Sequence, residues 1–495
     1  MNSASASVTS FSRNHQHSRF VLGVIFAIVM LLISLSAGTT NAFASTKNLE
    51  PFMGGKVSSA QFASYQGCSC HSTLQNQWAS SMHAQSLKDP FYKLQTKQVE
   101  QTAGKDVVEF CDTCHAPAAV MAGGVKTAEK NDALNGITCT VCHQVTAQHA
   151  KNPGNASLAY PKGGPDGVLH AQIMDPKAAH QASGNKLYDT SEYCGACHDV
   201  THPANGLKLE TTYSEWKKSD YAKQGVTCQK CHMAATTALS APTEDQAAMG
   251  GPTRKNIYAM TFIGANVAQS DKQLATALLK KAAKVQIEAK TDIVPAGKEE
   301  AINVKVTNTG AGHSIPTGLT EVRNMWLSIS TIDENGSKTE VGRTEFGTKL
   351  TNAKGKDVGA QFWLGAKKKS DVRIKPGETF EQEVKIKMPT SAQEQTLVAE
   401  LKYQSAKDEV IAPSGVKNPT TVMAASSTAL YASEAAKSAA AKQGKSQSSA
   451  NIDKSKQSTN DENGGVISAM VVSAIILVTV IVVLVIIKTR QDKRN

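Results

Sequence analysis

The chain has 495 residues, 40% of them apolar and 19% charged, which excludes a small disulfide-stapled scaffold and a disordered chain. A net charge of +11 would suit a nucleic-acid binder, but Arg13 and Arg19 supply two of those charges and the tail 488–495 another three. The remaining +6 is spread over more than four hundred residues with no basic run, so nucleic acid is not an expected partner.

In chain order, residues 20–38 (FVLGVIFAIVMLLISLSAG) form an apolar run behind Arg13 and Arg19. Ala42-Phe43-Ala44 follows as a small-x-small cleavage pattern, so 1–44 reads as a signal peptide. In an exported chain ten cysteines first suggest disulfides. Their spacing points elsewhere. Cys111-Cys114-His115, Cys139-Cys142-His143, Cys194-Cys197-His198 and Cys228-Cys231-His232 each read C-x-x-C-H, and Cys68-Cys70-His71 is one residue shorter. Such a unit lets two thiols add to the haem vinyl groups while the adjacent histidine ligates iron. All ten cysteines are used, so the expected cofactor is haem c, five copies in all, with attachment at Cys68 the most doubtful. Paired zinc knuckles are the rival, but the repeated Cys-His adjacency gives the wrong ligand geometry.

Thirteen histidines, less His15 and His17 in the signal and the five proximal ones, leave His83, His149, His170, His180, His202 and His313. Six candidates for five distal places are what an electron-transfer cytochrome with bis-histidine haems would show. Met82, Met121, Met174, Met249 and Met260 stay open as alternatives. Met233, next to His232, cannot reach the opposite face of the same haem.

The units repeat. Glu109-Phe110-Cys111 matches Glu192-Tyr193-Cys194, and Gly136-Ile137-Thr138-Cys139 matches Gly225-Val226-Thr227-Cys228. A second echo sets Trp78-Ser81-His83-Ala84 against Trp216-Ser219-Tyr221-Ala222, with His83 where the second copy has Tyr221. Between motifs, Gly, Pro, Lys and Ala dominate. Residues 45–265 should therefore be a pentahaem domain of short helices packed on haems.

A connecting helix is expected over 266–284 (QSDKQLATALLKKAAK within it), and from Val285 the pattern turns to alternation broken by PAGK, ENGS and KPGE. This predicts an immunoglobulin-like β-sandwich over 285–415 with a structural or docking role. Residues 416–464 read as a flexible stalk, 433–464 being Ala/Ser/Lys/Gln-rich. Gly465 to Ile487 is uncharged, and its 23 residues, at about 1.5 Å rise each in a helix, span a hydrocarbon core of about 30 Å. With KTRQDKRN behind it, it predicts one transmembrane helix at 465–487 and a cytoplasmic tail at 488–495. The expected fold class is thus multidomain: a mainly α/irregular multihaem domain, a β-sandwich and one C-terminal membrane helix. The expected location is the cytoplasmic membrane, single-pass, with the haem domain on the periplasmic or extracellular side.

The stretches SEYCGACHDVTHPANGLKLETTYSEWKKSDYAKQGVTCQKCHM (191–233) and GAGHSIPTGLTEVRNMWLSI (310–329) resemble exported multihaem c-type cytochromes related to the hydroxylamine-oxidoreductase group. The resemblance covers about 45–420. It implies a stack of haems in near van der Waals contact used as an electron wire, and it implies that His313 reaches from the following domain to cap a haem. The expected function is electron transfer between membrane quinol oxidation and extracytoplasmic redox partners, namely a quinol dehydrogenase and soluble or surface cytochromes. The alternative is a terminal reductase of a nitrogen or sulfur oxy-compound at one open haem. No catalytic residue is assigned: no Lys replaces a proximal His, and no long-spaced cysteine pair occurs.

Overall fold

A computed structural model describes residues 57–148, 154–161 and 166–442. Short elements bounded by caps and glycines make up the first half. Helix α1 (Pro90–Ala103) starts where the Asp89 carboxylate accepts from the Phe91 N–H and Pro90 presets the first turn. It stops at Gly104, whose φ of +95° suits glycine, and α2 (Lys105–His115) starts there and ends before Pro117. The other motif helices span only Cys139–His143, Ser191–Gly195 and Cys228–His232. The principal apolar cluster of this half is alanine-rich, with Ala116, Ala118, Ala119, Ala128, Ala133, Ala156 and Ala196 around Leu134 and Val141. Alanine fills little volume, so backbones approach closely there.

Helix α3 (Lys272–Ala282), capped by the Asp271 carboxylate, leads directly into the β half and buries Leu274, Ala275 and Leu279. Seven long strands follow: β1 (Ala283–Glu288), β2 (Glu299–Asn308), β3 (Asn324–Ile332), β4 (Lys338–Phe346), β5 (Thr379–Lys387), β6 (Glu394–Gln404) and β7 (Thr421–Tyr431). They form two antiparallel sheets, ordered β5-β2-β1 and β4-β3-β6-β7. Alternate side chains point inward. Ile302, Val304 and Val306 of β2 and Val384 and Ile386 of β5 meet Met325, Leu327 and Ile329 of β3 and Leu397, Ala399 and Leu401 of β6 in one cluster.

Three expectations are corrected. Thr421–Tyr431 is an edge strand rather than part of a stalk, with Met423, Leu430 and Tyr431 buried; its Ala/Ser interior hides the alternation that marks the other strands. Glu434–Lys442 continues as a helix. The expected fold class and membrane location are corrected too: among the described residues no helix is long and apolar enough to cross a membrane. The fold there is short helices and small sheets followed by two packed sheets. The run 465–487 on which that expectation rested, the tail 488–495, the signal 1–44 and His149 lie outside the described residues.

Several contacts join the halves, two of them far apart in the sequence. Trp363, on the loop before β5, packs with Val99 and Val107 of α1 and α2 and donates to the Thr102 hydroxyl at 2.9 Å. Arg373 forms a 2.5 Å ion pair with Glu215, each side chain being almost buried.

Candidate metal centres

Each of the five histidines that follow a cysteine has its ring Nδ1 at a hydrogen-bond acceptor. The ring Nδ1 of His71 lies 2.6 Å from the Ala247 carbonyl, that of His115 3.2 Å from Ser86, that of His143 2.7 Å from His170 and that of His232 2.6 Å from Ile263. A carbonyl only accepts, so each Nδ1 carries the proton and Nε2 keeps its lone pair for a metal. His198 instead donates to the Glu210 carboxylate at 3.1 Å. Acceptors of this kind fix tautomer and ring orientation in metal-ligating histidines.

Three of these rings face a second histidine. The ring centres are 6.1 Å apart for His71 and His180, 6.4 Å for His83 and His198, and 6.2 Å for His232 and His313. An iron with a nitrogen about 2 Å away on each side places two ring centres roughly 6 Å apart. The rings of His180 and His313 donate through Nδ1 to the neighbouring carbonyls of Gln181 and Ser314, again leaving Nε2 free. His170 lies beside His143, and both His83 and His170 have a buried Nδ1 with no partner. Burial, then the neighbouring His198 and His115, hold the His83 ring down to about 3, and burial foremost holds His232 at about 4. Both imidazoles are therefore neutral at ordinary pH, as metal ligation requires. The residues fit haem.

His202 differs. Its Nδ1 accepts from the Ala204 N–H and its Nε2 donates to the Trp363 carbonyl at 3.1 Å, in a site only 1% exposed. Both nitrogens are committed, so His202 is a structural anchor here and not an iron ligand. His115 meets the Tyr92 ring, stacked at 4.0 Å, rather than a histidine among the described residues. Of the methionines, Met174 and Met249 are exposed and Met121 is buried in the alanine-rich cluster.

All ten cysteines are free of disulfides, nine of them partly buried and Cys70 exposed. Different units lie side by side: Thr140 donates to Ala63 just ahead of the first unit, Cys114 packs in one apolar cluster with Ala196, and the Cys228 N–H donates to Ser191 at the start of the Cys194 helix. Among the described residues no group of three or more His, Cys, Asp or Glu side chains is arranged to hold a bare metal ion. At the first unit Cys68 has φ −90° and ψ 27°, a kink inside Tyr65–His71 where the shorter spacing is absorbed.

The sequence echoes have a physical meaning. Trp78 donates its indole N–H to Ile137 at 2.7 Å, and Trp216 donates to Val226 at 2.8 Å, each carbonyl lying two residues before a unit's first cysteine. Ser81 and Ser219 bond back to those tryptophans at 2.7 Å, opening the short helices Met82–Gln85 and Asp220–Lys223. A Cβ added to Gly136, whose φ is +77°, would lie only 2.8 Å from the His83 carbonyl oxygen, so His83 is seated against a position that suits glycine. In the second copy Tyr221 and Trp216 instead support Gly312, and the Tyr221 hydroxyl donates to Thr309 at 3.2 Å. One scaffold thus supplies a histidine directly and, in its other copy, seats the loop that brings His313.

That loop is clamped by Glu215, unremarked in the sequence. Its Oε2 accepts from the Ser314 N–H and the Thr317 hydroxyl, both at 3.1 Å, while Oε1 accepts from Thr211 and Arg373. Three tyrosines also hold the 139–143 helix: Tyr188 and Tyr193 donate to the Cys142 carbonyl and Tyr160 to Val141.

Residues 67–144 match the family described as cytochrome c554 and c-prime. A penta-heme cytochrome c552 from Thermochromatium tepidum is similar in fold, at 21% identity and TM-score 0.55, over 75% of this chain and 99% of that one. Two further solved structures match about 30% of this chain at TM-score 0.16: a sporulation control protein from Bacillus subtilis (15% identity, 49% of that chain) and the CARDB domain of a Pyrococcus furiosus protein (13%, 84%). No curated protein matches the chain. Taken with the five cysteine–histidine units, the family match and the fold likeness support a multihaem c-type cytochrome.

Proposed function

We propose that this protein relays electrons along five covalently attached, mostly bis-histidine haems, as an exported cytochrome related to the hydroxylamine-oxidoreductase group. When bound, each haem supplies a one-electron ferric/ferrous couple. The cysteine pairs hold the macrocycle, and the proximal histidines present Nε2 because Nδ1 is tied to an acceptor. His83, His180 and His313 offer a second imidazole opposite His198, His71 and His232. Two imidazoles with fixed orientation keep the coordination shell unchanged between oxidation states. The packing and hydrogen bonds between units put neighbouring sites side by side, as a relay needs. The partners are redox proteins, a quinol dehydrogenase on one side and soluble or surface cytochromes on the other.

The observation that carries this reading is the set of three facing histidine pairs at an iron-sized separation. Electron paramagnetic resonance of the oxidised holoprotein tests it. Only low-spin ferric signals are expected. A high-spin signal of one iron per chain would replace the pure relay with the reductase alternative at an open haem.

A further inference from the structure

Four of the five proximal histidines rest on neutral backbone carbonyls, and His198 alone rests on a carboxylate. Glu210 ends the strand Lys208–Glu210, which pairs antiparallel with Val200–Thr201, so ring and acceptor sit on two arms of one hairpin. The turn of that hairpin is pinned. The His202 N–H donates to Leu207 at 2.7 Å, the His202 ring holds the Trp363 carbonyl, and Asn205 donates to Gly365 at 2.9 Å. The β half therefore fixes where the Glu210 carboxylate sits, with its side chain only 15% exposed.

A hydrogen bond from an imidazole to a carboxylate is charge-assisted and roughly twice as strong as one to a neutral acceptor. It draws the Nδ1 proton toward oxygen and raises electron density at Nε2. A fixed negative charge one ring away from an iron stabilises the ferric over the ferrous state, and Glu210 stays close to the ring even though the His198 side chain is 53% exposed.

We propose that Glu210 is a potential-setting residue that makes the haem at Cys194-Cys197-His198 the most reducing of the five. This rests on the electron-relay reading. The site is a junction, because the Cys228 N–H donates to the Ser191 hydroxyl at the start of the Cys194 helix and Ala196 packs in one apolar cluster with Cys114. An electron placed there leaves readily toward either neighbour.

The test is a spectropotentiometric titration of the holoprotein and its Glu210→Gln variant, which keeps an acceptor oxygen and loses the charge. The ferrous-to-ferric ratio of one haem at fixed potential should rise about tenfold, equivalent to about 59 mV for a one-electron couple. The lowest of the five midpoints should be the one that moves, and Glu210→Asp should restore it in part. No movement, or a common movement of all five, overturns the assignment. A second measurement needs no variant. In the fully reduced, diamagnetic holoprotein the His198 Nδ1 proton should resonate downfield of the other four proximal ring protons, and a position among them overturns the proposal. A wild-type haem count of five with either negative result sinks the Glu210 assignment alone. A wild-type count lacking the haems sinks the relay reading beneath it.

Discussion

Residues 57–265 and the β half that follows obtain order by different means. The β half buries long side chains from two sheets in one cluster, and the strands that carry it run nine to eleven residues where the sheets pair most fully. Its stability comes from area removed from water. The first half has five-residue motif helices, an alanine-rich cluster and directional anchors such as Tyr188 to Cys142 or Trp78 to Ile137. There hydrogen bonds aim rings rather than fill volume. The comparison teaches that ligand geometry is stored in polar anchors, while the apolar sandwich is a rigid frame that lends two loops to the other half, one carrying His313 and one carrying Trp363.

The largest expected effect tests whether the halves are separable. Replacing both Cys228 and Cys231 with alanine should remove one fifth of the reduced haem absorbance and loosen the first half. The β signal in circular dichroism should persist to its usual melting temperature; a joint collapse would break the comparison. Next, Leu327→Ala, at a fully buried position of β3, should cost about 4 kcal/mol in denaturant melts with the visible spectrum unchanged. A haem spectrum that moved with it would show the frame and the ligand set to be one packing unit. Glu215→Ala should cost about 3 kcal/mol, the low end for breaking a buried ion pair, because Asp371 still pairs Arg373. Unlike the core variant, it should also free the His313 loop and produce a high-spin ferric signal.

The smallest effect is a pH dependence of the frame. Burial raises the Asp371 carboxyl, but hydrogen bonds from Arg373 and Lys368 win and hold it at about 2. An unfolded aspartate titrates at about 3.9. The folded value is the lower one, so this stabilisation is complete above about pH 4 and is lost as pH falls through about 2. The melting temperature of the β half should drop over that window in the native protein, and Asp371→Asn should flatten the slope.

The cysteine–histidine units are legible because covalent chemistry imposes a short local spacing. The repeat was legible too, since Trp78 and Trp216 make the same bond in both copies. Facing histidines are less so. His180, His313 and His202 look equivalent as letters, and only the partners of their ring nitrogens separate a ring turned to a metal from an anchor on Trp363. Glu210 and Glu215 escaped notice because single acids carry no periodic signal, and Arg373 lies 158 residues from the acid it pairs. A usable hint existed for Glu210, an acid in an apolar-alternating stretch twelve residues past His198. Strand β7 was hidden for the opposite reason: its Ala and Ser residues satisfy an edge position without looking apolar.

The number of haems the chain holds decides whether it is a pentahaem relay. The intact mass of the purified holoprotein, with a thiol titration of the same sample under denaturing conditions, reads this directly. Five haem additions and no free thiol, Cys68 included, are the predicted result. Free cysteines in number with a mass that lacks haem would contradict it.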